Sequence, residues 1–284
     1  MQRCKWIGNL LLFVCISLSM PVQSSEVVIN KAIGGNVLVS EILTLILSKS
    51  DPQANIRQLS AEFPEQRLID DIHSGKVSLL WSGASPHLEE QLLPIRIPLF
   101  KGLLGHRIFI IKEEHQSRFN HITTLEQLKK LSAGQGTLWG DTKVLKDANL
   151  PVVTALKYPN LFHMLEGERF DYFPRAIHEP WNEVSARPEL NLKVEDKTLL
   201  IYPFAMYFYV NKNDHDLHDK LTQGFETAIA DGSFDRLFLN NPMIKEALQK
   251  SNLSQRNVIR IKNPNMHPDT PVNRPELWLD INSL

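Results

Sequence analysis

The sequence predicts an α/β fold of two lobes, each a mixed sheet flanked by helices, with the chain crossing between them twice. Three observations predict it. Strand-like and helix-like segments alternate from residue 26 onward, and the alternation restarts after Lys112. Two apolar strands of similar length, HRIFIIK (106–112) and AMYFYVNKN (205–213), stand about a hundred residues apart. These strands are expected side by side at the junction of the lobes, with a ligand cleft at their mouth. The expected division is lobe one over 26–112 and 203–262, lobe two over 113–202, and a tail over 263–284 packed on lobe one.

Residues 1–25 read as a separate segment. Arg3 and Lys5 precede an apolar stretch over 6–18 and the short run Val22-Gln23-Ser24-Ser25. That is the pattern of a secretory signal peptide, cut next to Ser25 or Glu26. The apolar stretch falls short of the ~20 residues that a bilayer span needs. LFVC at 12–15 has the outline of a lipoprotein acylation box, but Val14 is bulky where a small residue is expected. Both cysteines, Cys4 and Cys15, lie in this segment, so the processed chain is expected to have neither disulfides nor thiol chemistry. An exported, cysteine-free monomer fits the bacterial periplasm.

With 43% hydrophobic and 22% charged residues, the composition is that of an ordinary globular chain. Taking Arg3 and Lys5 from the 31 basic residues leaves 29 against 32 acidic ones, a net charge of −3. No basic stripe points to nucleic acid.

The elements follow in order. EVVINKAI at 26–33 reads as a strand, and VLVSEILTLIL at 37–47 as a helix apolar enough to be buried. A helix over 65–73 buries Leu68, Ile69 and Ile72 and stops at Gly75, before the strand KVSLLWSG. Pro94, Pro98 and Gly102 keep the next segment irregular up to 106. Beyond Lys112, Thr123 or Thr124 opens a helix with a capping box to Glu126 or Gln127. Then come SAGQGTLWGD, a helix near 142–148, the strand PVVTAL, a helix over 160–166 and RFDYF as a strand. Residues 201–210 form the returning strand, and Leu217, Leu221, Phe225 and Ile229 mark a long helix. DGSFDRLF gives a shorter helix, and a proline-rich tail is held down by Leu277 and Trp278.

Four stretches in this order resemble the type II periplasmic solute-binding proteins, the amino-acid-binding branch (family 3) in particular. LIDDIHSGKVSLLWSG (68–83) is similar to that family's helix, strand and serine-rich ligand loop. GHRIFIIKEE (105–114) resembles the strand whose arginine holds a ligand carboxylate. HITTLEQLKKLSAGQGT (121–137) resembles the opening of the second lobe, and LTQGFETAIADGSFDRLF (221–238) the late helix and its Asp-Gly turn. The chain departs from the pattern at 33–36, which lacks an aromatic residue. It departs again at Pro174-Arg175-Ala176, where an acidic side chain would meet a ligand ammonium. The resemblance implies the two-lobed type II fold and capture of a small, carboxylate-bearing solute by hinge closure. The output would be delivery to an inner-membrane ABC permease or presentation to a membrane sensor. A catalytic use of the scaffold ranks last, since GxSxG, HExxH and a cysteine nucleophile are all absent from the sequence. No cofactor and no metal is implied.

Candidate ligand contacts follow from residue chemistry. The Arg107 guanidinium is a planar fork that fits a carboxylate, or else an internal acid. Ser82, Gly83, Ala84 and Ser85 follow a strand with little side-chain bulk, so hydroxyls and amides can approach a ligand. Gly136-Thr137 and Gly140-Asp141-Thr142 compete as a second-lobe anion loop at a helix N-terminus, with Asp141 the helix N-cap. Trp139 and Trp81 would wall the cleft. Arg175, expected exposed after Pro174, either contacts an anion or pairs with Glu179 or Glu183. NDHDLHD at 213–219 reads as a loop capping the next helix rather than a metal site.

Overall fold

The computed structural model describes residues 26–32 and 37–281, so the expected signal segment, both cysteines and the loop 33–36 lie outside the described residues. The chain runs β1 (Glu26–Ile29), α1 (Val37–Ser50), β2 (Asn55–Gln58), α2 (Glu65–His73), β3 (Leu79–Gly83), α3 (Pro86–Gln91) and β4 (Leu92–Ile95). Next come β5 (His106–Lys112), α4 (Gln116–Phe119), α5 (Leu125–Leu128), β6 (Ala133–Gly136), α6 (Gly140–Asp147), β7 (Val152–Ala155) and α7 (Tyr158–Glu166). Then β8 (Phe173–Ala176), α8 (Pro180–Ser185), β9 (Leu192–Val194), β10 (Thr198–Ile201) and β11 (Met206–Asn211) follow. The last elements are α9 (His215–Ala230), α10 (Ser233–Asn240), α11 (Pro242–Ser251) and β12 (Asn257–Arg260).

The strands fall into two groups. In the first, β11 lies antiparallel between β3 and β4, and β1 pairs in parallel with β2. Ser78 joins these two sheets: its N–H donates to Val28 O at 2.8 Å, and its hydroxyl accepts from Val28 N at 2.9 Å. Helices α1 and α9 cover one face, burying Leu38, Ile42, Ile46, Leu221 and Phe225. Gly224 permits their close approach, since a Cβ there would stand 2.2 Å from Ile46 O. In the second group β5 is central, antiparallel to β8, β9 and β10, and β12 extends the sheet beyond β10. The β6–β7 pair attaches through Gly134 N, which donates to Tyr172 O at 2.8 Å.

Strands β5 and β11 therefore belong to different sheets, which corrects the expectation that they run side by side. Both depart from one point. Gly105, just before β5, packs so tightly on Tyr202 that a Cβ would come within 1.9 Å of the Tyr202 carbonyl oxygen. Tyr202 N donates to Gly105 O at 3.1 Å, and Leu99 N to Met206 O at 2.9 Å. The two crossings, 96–105 and 202–205, thus run together while the strands they feed diverge. Residues 201–210 are not one strand, because Pro203 separates β10 from β11. Strand pairing places both β5 and β12 with β8–β10, whereas the boundaries drawn at 112 and 262 assign them to the first lobe.

RFDYF is also displaced, since the strand is Phe173–Ala176. Asp171 N and Tyr172 N both donate to Ser132 O, and Tyr172 bridges Ala133 in parallel, so these residues lie against β6 ahead of the β5–β8 ladder. Helix α2 ends at His73, followed by Gly75 at φ 73, and Thr124 with Gln127 forms the capping box of α5. Among the described residues no helix is long and apolar enough to cross a membrane.

Candidate functional site

The site is built where the crossings meet the loops that leave β3 and β6. Alternation along β5 decides where its charge goes. Arg107 pairs across the sheet with Leu200 and Ala176, and the residue is only 3% exposed. A buried guanidinium needs counter-charge, and two acids supply it. Arg107 Nη2 lies 2.7 Å from Asp141 Oδ2, and Nη1 lies 3.8 Å from Glu179 Oε2. The same Asp141 oxygen accepts the Tyr202 hydroxyl at 2.8 Å and Gln135 Nε2 at 3.1 Å. Burial is the largest influence and works against the Arg107 charge, but Asp141, Tyr202 and Glu179 together outweigh it and hold the pKa above the ordinary arginine value. Arg107 Nε and Gln135 Oε1 are buried without a partner among the described residues.

Arg175 is buried as well, 6% exposed, which corrects the expectation of an exposed side chain. Its Nε and Nη2 engage Glu183 at 2.8 and 2.6 Å, and Nη2 reaches Glu179 at 2.9 Å. Tyr158 donates its hydroxyl to Glu183 at 2.6 Å. The rings of Trp139, Tyr158 and Phe173 lie around the guanidinium at 4.9 to 5.6 Å. Of the two sequence alternatives, pairing with acids is the observed one, and it involves both Glu179 and Glu183. His178 lies between these cations and the first crossing, stacked on Phe100 with centroids 4.6 Å apart. Burial, then Arg107 and Arg175, push its pKa down to about 3.

The second-lobe loop folds on itself. Thr142 donates its hydroxyl to Gly136 O at 2.7 Å, and Thr137 N donates to Ala155 O at 3.0 Å. Trp139 occupies the N-cap position of α6, so Asp141 is not the cap but a first-turn residue turned onto Arg107. Trp139 stacks on Phe173 at 6.0 Å and covers Gly136, where a Cβ would collide with its ring.

Across from this loop lies the turn after β3. A Cβ on Gly140 would stand 2.7 Å from Ala84 O and 3.3 Å from Ser85 Cβ. The two loops singled out in the sequence therefore meet. Gly83 abuts the Phe204 ring of the second crossing, and Ser85 caps α3 through Leu88 N. Beside them is a cleft of about 250 Å³ lined by Asn30, Glu62, Phe63, Glu65, Trp81, Ser82 and Met206, among others. Ser82 donates its hydroxyl to Glu65. Asn30 exchanges hydrogen bonds with the Phe63 backbone at 3.0 and 3.2 Å, fixing the cleft floor to the end of β1. Sequence reasoning missed Asn30, Phe63 and Glu65. Their signal was positional: a polar residue ending an apolar strand, and an acid opening a helix after Phe63-Pro64. Asp214 caps α9 by accepting from Leu217 N at 3.1 Å, as read for 213–219.

No protein-family model matches the sequence, and no curated protein matches it by sequence. Solved structures do. An ancestral arginine-binding protein bound to arginine superposes with a TM-score of 0.54 at 17% identity, over 76% of this chain and 96% of that one. An arginine-specific periplasmic binding protein of Salmonella typhimurium gives 0.53 at 13% identity, over 80% and 99%. A periplasmic His/Glu/Gln/Arg/opine family-binding protein of Silicibacter pomeroyi, in complex with lysine, gives 0.54 at 9%, over 76% and 95%. With identities of 17% or less, what the chain shares with them is architecture: it has the two-lobed α/β fold of the periplasmic amino-acid-binding proteins.

Proposed function

We propose that this chain is an exported solute-binding protein that closes two lobes over a small solute and hands it to a membrane transporter. Lobe one comprises the sheets of β1–β4 and β11 with α1 and α9. Lobe two comprises β5–β10 with β12, and the crossings 96–105 and 202–205 form the hinge. The observation that carries this reading is the meeting of Gly140 with the Ala84 carbonyl, which brings a loop of each lobe together beside the crossings. The similar solved structures include binding proteins, and two are described as substrate-binding proteins of amino-acid ABC transporters, which supports delivery over catalysis.

The solute's charge follows from which groups are already paired. Arg107 and Arg175 are engaged by Asp141, Glu179 and Glu183. The cleft itself carries Glu62 and Glu65 with Asn30 and Ser82 as hydrogen-bonding groups. A solute bearing a cationic group beside an apolar stem suits acids set against Phe63, Trp81 and Met206 better than a simple anion does. A carboxylate on Arg107 would have to displace Asp141 from a buried ion pair, and that is costly.

Calorimetric titration with arginine, lysine, histidine, glutamate and citrate tests both levels. At least one cationic amino acid should bind, and Glu65→Gln should weaken it tenfold or more. Binding of glutamate or citrate alone would overturn the charge assignment while keeping the solute-binding reading. Scattering profiles unchanged by every solute that binds would overturn hinge closure.

A further inference from the structure

The tail that follows β12 straps both crossings. Ile261 N donates to Ile201 O and Asn263 Nδ2 to Pro203 O, each at 2.9 Å. On the other crossing, Leu279 N donates to Lys101 O at 2.8 Å, and Lys101 Nζ donates to Glu276 O at 2.6 Å. The Trp278 ring lies against Gly102, where a Cβ would sit 2.5 Å from it. Gly102 has φ 78, so both its conformation and its contact suit glycine.

Between strap and crossings lies a cavity of about 440 Å³. Its floor is a single row across three strands. Ile201 pairs with His106 on one side and with Arg260 on the other, so the three side chains leave the sheet on the same face. Their neighbours Arg107 and Leu200 point to the opposite face, so this cavity is separate from the Arg107–Asp141 cluster. Pro203, Trp278 and Ile281 add apolar wall, and Val272 stands 56% exposed at the rim. Small-molecule sites combine volumes of ~300–1,000 Å³ with a mostly apolar lining and a few convergent polar groups. This cavity meets both conditions. Arg260 is exposed and forms no salt bridge with a described residue. His106 binds the Gly102 carbonyl through Nδ1 at 3.1 Å, and burial holds its pKa below the ordinary value, so it stays neutral.

We propose that this cavity is a second ligand site, for a small monocarboxylate with an apolar body. The carboxylate pairs with the Arg260 guanidinium and the body lies on Ile201, Pro203 and Trp278. The walls come from both crossings and from the strap, so an occupant holds these three segments in one arrangement.

The test is calorimetric titration of the full chain with butanoate, hexanoate and octanoate, with octylammonium as the cationic control. Expected is one octanoate site, affinity rising with chain length, and no comparable binding of octylammonium. Arg260→Gln should weaken octanoate at least tenfold without moving the melting temperature, because the side chain is exposed. Glu65→Gln, in the cleft, should leave octanoate binding unchanged. Absence of octanoate binding to the native chain would overturn the proposal, and so would binding indifferent to Arg260→Gln. Binding lost in Glu65→Gln would place the probe in the cleft and overturn it equally. None of these outcomes depends on the cleft's own solute being known.

Discussion

Arg107 on β5 and Asp141 in the first turn of α6 form a buried ion pair at 2.7 Å, each side chain 4% exposed or less. The pair couples the loop that meets Ala84 to the strand that leaves the first crossing. It also anchors Tyr202 of the second crossing, which donates to the same carboxylate at 2.8 Å. Removing one partner leaves the other charged and buried, Arg107 with only Glu179 at 3.8 Å and Asp141 with only the Tyr202 and Gln135 hydrogen bonds. Arg107→Ala and Asp141→Ala should each cost about 3–5 kcal/mol, and the double variant far less than their sum. Urea melts of the ligand-free proteins measure the cycle. Additive losses would show that the two residues act independently.

Gly105 is expected to tolerate no side chain. A Cβ would stand 1.9 Å from the Tyr202 carbonyl oxygen, which cannot retreat because the crossings are hydrogen-bonded together there. Gly105→Ala should destabilise the protein by at least ~2 kcal/mol. A melting temperature equal to that of the native chain would mean that the crossings are not held in this register.

Gly140 should matter for closure rather than for folding. Its Cβ position is 2.7 Å from Ala84 O, a contact between the start of α6 and the loop after β3, which the proposed division puts in different lobes. Gly140→Val should hold the loops apart, raising the radius of gyration seen by X-ray scattering while the melting temperature changes little. An unchanged scattering profile with a large loss of stability would reverse that assignment.

Acid should weaken the fold through His178. The unfolded imidazole takes up its proton near pH 6.5, while the folded one, desolvated and beside Arg107 and Arg175, resists down to about 3. The unfolded state therefore binds more protons across that window, and stability falls as pH drops through it. His178→Phe keeps a ring for Phe100 to stack on and removes the titration. Its melting temperature should fall less than the native chain's between about pH 7 and about pH 4.5. Parallel losses in the two proteins would count against His178 as a source of acid sensitivity.

Much of the local structure was legible in the sequence because local forces decide it. The β-branched run at 106–112 made β5, the spacing of Leu68, Ile69 and Ile72 made α2, and Thr124 with Gln127 closed a capping box. Where one residue has two competing local roles, the reading was less secure. Asp141 has the chemistry of an N-cap, but a buried guanidinium nearby is the stronger partner. RFDYF has strand composition, yet Asp171 and Tyr172 turn their amides onto Ser132.

Periodicity and turn chemistry in the sequence determined most of the element types and the α/β class, and the resemblance it carries implied the two-lobed form and singled out the loops that meet at the site. Tertiary structure alone decided that β5 and β11 part into different sheets, and that Arg107 and Arg175 are both matched by internal acids. It also gathered Asn30, Phe63 and Glu65 around the cleft. The physical reason is range. Backbone propensity is set by near neighbours, whereas a buried charge takes whichever counter-charge the sheet register brings within reach, however distant in the chain.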